Sequence, residues 1–187
     1  MTSLLAISGS LRANSFNTNL LRSTQALVPD GVTVELADLA DIPMFNQDLE
    51  ANGIPAAVQT LKDRIAAADG VIFATPEYTR SIPGVLKNAL DWVSRGPVRP
   101  LSGKPVIAVS ASGSPFGGIR ALTELRQLLT HLGANVTHSP EVAVGQANTK
   151  FDELGVFTDE AGIRFYTTLL GNLLIKIELE RRMKELV

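Results

Sequence analysis

Cysteine is absent from the chain. That excludes disulfides, cysteinyl zinc sites, thiolate catalysis and iron–sulfur ligation. Long hydrophobic runs are absent too: the strongest, at 71–74 and 106–109, are far too short to span a bilayer. The N-terminus reads Met-Thr-Ser-Leu-Leu-Ala-Ile-Ser, with no basic stretch ahead of its short apolar one. No signal peptide is expected, and a cytoplasmic location is. Nor does charge of one sign dominate. The 17 Lys and Arg and 19 Asp and Glu leave a net −2, neither a basic footprint for nucleic acid nor a strongly acidic surface. Histidine is scarce. His131 and His138 are the two, neither in the carboxylate-rich company a metal centre needs, so both are read as structural and no metal is expected.

What is present is 187 residues, 45% hydrophobic and 19% charged, enough for one globular domain spanning 1–187 with an ordinary core. Four short apolar segments have the length and flanks of buried strands, at 4–7, 32–36, 71–75 and 105–109, and a weaker fifth lies around 136–144. Helical spacing fills the intervals: 14–27 carries Leu20, Leu21 and Leu27, 56–68 carries Val58, Leu61 and Ile65, and 119–132 carries Leu122, Leu125 and Leu129. The longest helical candidate is 159–186, where Gly162 and Gly171 argue against one unbroken helix. Regular alternation of strand and helix predicts a parallel sheet covered on both faces.

Three loops rich in Gly, Pro and Ser, at 9–15, 76–84 and 110–118, follow the first, third and fourth strands. In an open α/β sheet that carboxyl edge is where ligands bind. The first loop runs Ser8-Gly9-Ser10-Leu11-Arg12-Ala13-Asn14-Ser15-Phe16-Asn17 into a helix. Gly9 permits a sharp turn. Ser10, Ser15 and Asn17 offer hydrogen bonds, the first N–H groups of the helix are free for an anion, and Arg12 supplies a charged fork of donors. A second reading stays open, in which Asn14 or Ser15 only caps the helix and Arg12 faces water. The loop has neither the Gly-Lys-Ser/Thr ending of a nucleotidase nor the three spaced glycines of a dinucleotide fold. Hydroxyls and an amide around one glycine suit a single phosphate monoester, and so a mononucleotide such as FMN.

The second loop, Thr75-Pro76-Glu77-Tyr78-Thr79-Arg80-Ser81-Ile82-Pro83-Gly84, is held stiff by two prolines. Stiff backbone presenting N–H and C=O groups suits a flat heteroaromatic ring; the other reading is a structural turn with Tyr78 as a lid over apolar neighbours. In the third loop, Gly113, Gly117 and Gly118 let backbone approach a ligand closely.

Gly9-Ser10-Leu11-Arg12 with Ser15 and Asn17, Pro76-Glu77-Tyr78 with Ser81, Pro83-Gly84 and Leu86-Lys87-Asn88-Ala89-Leu90-Asp91-Trp92, and the loop from Ser112-Gly113 to Gly117-Gly118 together resemble the NAD(P)H-dependent FMN reductases, including quinone and chromate reductases. The resemblance covers about two-thirds of the chain. It departs at Thr79, where the family usually has Asn. It implies a flavodoxin-like α/β fold, a five-stranded parallel sheet of order 2-1-3-4-5 with helices on both faces. It also implies non-covalent FMN, NAD(P)H as co-substrate, and a homodimer or homotetramer with flavin sites near subunit boundaries. Carried onto this sequence, Ser10, Arg12, Ser15, Phe16 and Asn17 would hold the phosphate. Pro76, Glu77 and Tyr78, with Thr79 in the place of the usual Asn, would line the ribityl chain and ring, and Ser112 and Gly113 would meet the pyrimidine edge. No catalytic acid, base or nucleophile is expected, because flavin carries the chemistry. The implied acceptor is a small molecule, a quinone first, with chromate, azo compounds or free flavin behind it, reduced in a ping-pong cycle.

The remaining prominent residues take plainer readings. Trp92 is read as core or interface packing, and Arg120 and Arg126 as solvent-facing or interfacial. Asp38, Asp41 and Asp48 flank Pro43-Met44-Phe45-Asn46, a candidate surface loop at a subunit interface without the spacing of an acid–base pair. Two other functions compete: an electron carrier to protein partners without NAD(P)H activity, which the weak net charge disfavours, and a flavin-free module that keeps an anion-binding turn.

Overall fold

The computed structural model describes residues 1–185. Four long strands, β1 (Thr2–Ser8), β2 (Val32–Ala37), β3 (Gly70–Thr75) and β4 (Pro105–Ala111), run parallel in the order β2-β1-β3-β4. The fifth position is shared by two short strands rather than one segment. β5 (Asn135–Thr137) pairs with the start of β4, and β6 (Ala143–Val144) pairs with its end. Between them lies Pro140, which has no N–H to give to a ladder. The order 2-1-3-4-5 stands, with β6 as an addition to the expected five strands.

The continuous apolar strands divide cleanly between the two faces. Leu5 and Ile7, Val71 and Phe73, and Val106 and Ala108 point into one core; Leu4 and Ala6, Ile72 and Ala74, and Ile107 and Val109 point into the other. This is the two-residue period of a strand buried on both sides. Helices α3 (Ala56–Ala67), α4 (Gly84–Val93) and α5 (Ile119–His131) cover the first face, and α1 (Phe16–Ser23) and α6 (Glu160–Glu185) the second. Each inward-facing Leu, Ile or Val contributes about 1.5–3 kcal/mol by leaving water.

Several boundaries differ from expectation. The first helix begins at Phe16, because Ser15 is its N-cap in extended conformation, and ends in a 3-10 turn, Thr24–Ala26. The helix α6 is continuous over its described length despite Gly162 and Gly171; the expected end at Leu186 lies outside the described residues. A five-residue helix, α2 (Gln47–Ala51), was not anticipated and carries Asp48 in its first turn. The neighbouring loop is tied down: Trp92 Nε1 and Asn88 Nδ2 both donate to the Pro43 carbonyl, at 2.7 and 2.9 Å, and Trp92 is fully buried. Arg126 is not solvent-facing. It is 8% exposed and paired with Glu141 at 2.7 Å.

Register brings the loops together. Ser8 is level with Ala74, and Thr75 with Ser110, so β1, β3 and β4 release their chains at nearly the same height. Among the described residues no helix is long and apolar enough to cross a membrane.

Candidate functional site

The three loops enclose one open cavity of about 250 Å³. It is lined by Ser10, Arg12, Ser15, Phe16 and Asn17 from the first loop, Pro76, Glu77 and Tyr78 from the second, and Ala111, Ser112 and Gly113 from the third. Every expected site residue is there except Thr79, and Ala111 is an addition that its plain side chain gave no signal for.

Gly9 is required for closeness rather than for a left-handed turn. Its N–H donates to the Ala74 carbonyl at 2.8 Å, and a Cβ there would lie 3.0 Å from Leu86 Cδ2. The Ser15 hydroxyl accepts from the Thr18 N–H at 3.4 Å as the cap of α1, leaving the N–H groups of Phe16 and Asn17 without intrahelical carbonyls. Asn17 is buried, and its amide is spent on β4: Nδ2 donates to the Ala111 carbonyl at 2.8 Å and Oδ1 accepts from the Ala111 N–H at 2.9 Å. What Asn17 can turn toward an anion is therefore its main-chain N–H. The Ser10 hydroxyl lies 3.4 Å from the Tyr78 hydroxyl, joining the first two loops. Arg12 is exposed, and its Nη2 donates to the Asn14 carbonyl at 3.1 Å, a neutral partner that leaves its charge uncompensated.

The second loop turns on a two-residue hairpin. Tyr78 and Ser81 exchange N–H···O bonds of 3.0 and 3.1 Å, and the central Thr79 and Arg80 have φ of 49° and 66°. This is the primed turn whose positive φ angles favour Asn and Gly. Thr79 and Arg80 both occupy it at a cost, and Thr79 sits at the turn rather than in the cavity wall. The Glu77 carboxylate leaves the cavity to cap α5, accepting from the Arg120 N–H at 3.1 Å and meeting Arg120 Nη1 at 3.2 Å. In return Glu124 of α5 accepts from the Ser81 hydroxyl at 2.7 Å and the Ile82 N–H at 3.1 Å. These two carboxylates were not singled out in the sequence as linking groups.

In the third loop Ser112 has committed its N–H to Val144 and its carbonyl to Ala147, both at 3.0 Å, while its hydroxyl accepts from the Ser114 N–H at 3.2 Å and lies 3.4 Å from the Ser114 hydroxyl. Gly117, at φ 63°, lies so near the 143–145 segment that a Cβ would stand 2.6 Å from the Ala143 carbonyl. Phe16 is backed from the C-terminal part of the chain: its ring stacks on Phe151 at 5.5 Å, which in turn meets Phe157 at 5.1 Å.

Residues 2–149 match the family model for NADPH-dependent FMN reductase. The chain belongs to that family. It is 46% identical over 157 residues to an NAD(P)H-dependent FMN reductase of Pseudomonas aeruginosa, covering 84% of this chain and 85% of that one. It is 38% identical over 182 residues to a quinone reductase of Escherichia coli, covering 94% and 97%. Among solved structures it resembles FerB, a flavoenzyme NAD(P)H:(acceptor) oxidoreductase from Paracoccus denitrificans, with a TM-score of 0.86, 33% identity and coverage of 95% and 98%. As a member of the FMN reductase family the protein is an oxidoreductase with FMN as cofactor and NAD(P)H as reductant. The donor set fits FMN: main-chain N–H groups, two hydroxyls and a guanidinium at one end of the cavity, and stiff backbone along its side.

Proposed function

We propose that the protein passes reducing equivalents from NAD(P)H to a small acceptor, a quinone first, in a ping-pong cycle in which one open face serves both substrates. The observation that carries this is the cavity where the three loops meet, lined by residues suited in order to phosphate, ribityl chain and ring. FMN, when bound, supplies the hydride and electron transfer.

The chain's own residues bind and orient. The N–H groups of Phe16 and Asn17, the hydroxyls of Ser10 and Ser15 and the Arg12 guanidinium hold the phosphate. Pro76, Glu77 and Tyr78 line the ribityl chain and ring, Glu77 through its main chain, since its carboxylate caps α5. The Ser112 hydroxyl and Gly113 stand at the pyrimidine edge. Tyr78, which lines the cavity and is 46% exposed, offers an aromatic face to a flat quinone. No side chain is needed as acid or base. A homodimer or homotetramer in the cytoplasm completes the proposal, supported by the exposed apolar side chains of Met44, Ile175 and Leu179.

An absorption spectrum with anaerobic additions tests it. A flavin band that bleaches with NAD(P)H and returns with a quinone is the expected result. A band indifferent to both reductants would leave an electron carrier, and reoxidation by other acceptors but no quinone would overturn the acceptor assignment.

A further inference from the structure

The first loop lines two cavities. The second, of about 220 Å³, opens on the β2 side and is lined again by Ser10 and Arg12, with Arg22 of α1 and with Ala37 and Asp38 where β2 ends. Arg12 donates to the Asn14 carbonyl at 3.1 Å and Arg22 to Asn19 Oδ1 at 3.1 Å. Neither meets a carboxylate in any ion pair among the described residues. Asp38 accepts the Ala40 N–H at 2.9 Å, which fixes one of its oxygens and leaves the other. With Arg12 shared with the flavin phosphate, Arg22 is the guanidinium that this cavity has to itself, and it is satisfied only by a neutral oxygen.

We propose that this second cavity receives the phosphorylated ribose of NADPH, with Arg22 on the 2′-phosphate. The proposal rests on the reductase reading above. Its ligand must be anionic, because a guanidinium without a carboxylate forms its strongest bonds with phosphate. The same molecule must also have an end in the flavin cavity, and the shared wall of Ser10 and Arg12 is where a dinucleotide would cross from one to the other. The position after the second strand is where dinucleotide-binding sheets read the ribose: a carboxylate takes the 2′-hydroxyl, and an arginine accommodates the 2′-phosphate. Here Asp38 and Arg22 line that one cavity together: the Asp38 oxygen not held by Ala40 can take a hydroxyl, and Arg22, bonded only to a neutral oxygen, the phosphate.

Steady-state kinetics with NADPH and NADH, against one quinone, test this in wild type and in Arg22→Gln. Arg22 lies outside the flavin cavity, so FMN content and kcat are expected to stay unchanged. The KM for NADPH is expected to rise roughly 10- to 100-fold, the loss of a charge-assisted bond to phosphate, while the KM for NADH stays constant. An equal rise with both reductants, or no rise with NADPH, would overturn the proposal. Failure of wild type to be reduced by either would sink the reductase reading instead. The cavity is then tested directly by calorimetry with adenosine 2′,5′-bisphosphate and adenosine 5′-monophosphate. Tighter binding of the bisphosphate in wild type, lost in Arg22→Gln, supports it. Equal binding of the two, or of inorganic phosphate alone, counts against it.

Discussion

Asn17 and Ala111 exchange two hydrogen bonds, of 2.8 and 2.9 Å, between the first turn of α1 and the last residue of β4. A side-chain amide here does what a neighbouring strand would do, pairing both main-chain polar groups of one residue. It sets the distance between the first and third loops, and so the width of the cavity.

Replacing Asn17 with Leu leaves the buried Ala111 N–H and carbonyl without partners. Each unsatisfied group costs about 1–3 kcal/mol, so a loss of roughly 2–6 kcal/mol is expected in chemical denaturation. FMN retention should fall as well. A loss below about 0.5 kcal/mol would show that the loops are held by other contacts.

Glu77 and Glu124 tie the second loop to α5 in opposite directions, one from loop to helix and one from helix to loop. Glu77→Gln and Glu124→Gln should each destabilise by about 1–2 kcal/mol, through weaker bonds to N–H, hydroxyl and guanidinium donors. The double variant should depart from additivity by at least about 0.5 kcal/mol, because both act on the same rigid loop. Strict additivity in that cycle would mean the two ties are independent.

The turn at Thr79 and Arg80 holds two side chains at positive φ. Thr79→Asn places there a residue that accepts the left-handed region, and a gain of about 1 kcal/mol in thermal stability is expected. A β-branched residue gains nothing at φ 49°, so a destabilised Thr79→Asn would point to a compensating contact of the Thr side chain.

Arg12→Ala should weaken FMN binding by about 1.5–3 kcal/mol, the worth of a hydrogen bond to a charged group. Flavin titration of the apoprotein reads this directly. Unchanged affinity would assign the phosphate to the N–H groups and hydroxyls alone.

Asp69, before β3, fastens the start of β1 to α6. Burial works against its charge, yet the Ser3 N–H at 2.8 Å, Arg181 at 2.8 Å and the Ser3 hydroxyl at 3.1 Å together hold the carboxyl below its usual 3.8. A depressed folded pKa means stability that is fully present above about pH 3.8 and lost as pH falls through the lower folded value. The pair is partly exposed, so Asp69→Asn should cost only about 1 kcal/mol at neutral pH. That difference should narrow as the pH falls below 3.8. A difference independent of pH would make the loss one of hydrogen-bond geometry.

Much of this was legible in the sequence, and the limits have physical causes. The strands at 71–75 and 105–109 could be read because burial on both faces leaves an unbroken apolar run. The segment at 136–144 could not be resolved, since its break depends on where β4 has partners to offer. Gly162 looked like a breaker of α6. In the fold it is the place where the Phe157 ring crosses the helix, so close that a Cβ would sit 2.5 Å from that ring. Arg126 reads as solvent-facing or interfacial in the sequence because its partner Glu141 is supplied by a later loop. The cavity lining was legible because adjacent loop residues stay adjacent in space. The Glu77–Arg120 and Ser81–Glu124 links, each 43 residues apart, left no local trace.

The rings behind Phe16 belong to residues 151 and 157, past the last position, 149, shared with the family model. A polypeptide cut at that boundary would keep every motif by which the family is recognised and lose the buttress under its cofactor pocket. Chimaeras that exchange only the tail between relatives would accordingly change flavin affinity without altering a single lining residue. For engineering, the last fifth of the chain is a remote handle on the cofactor.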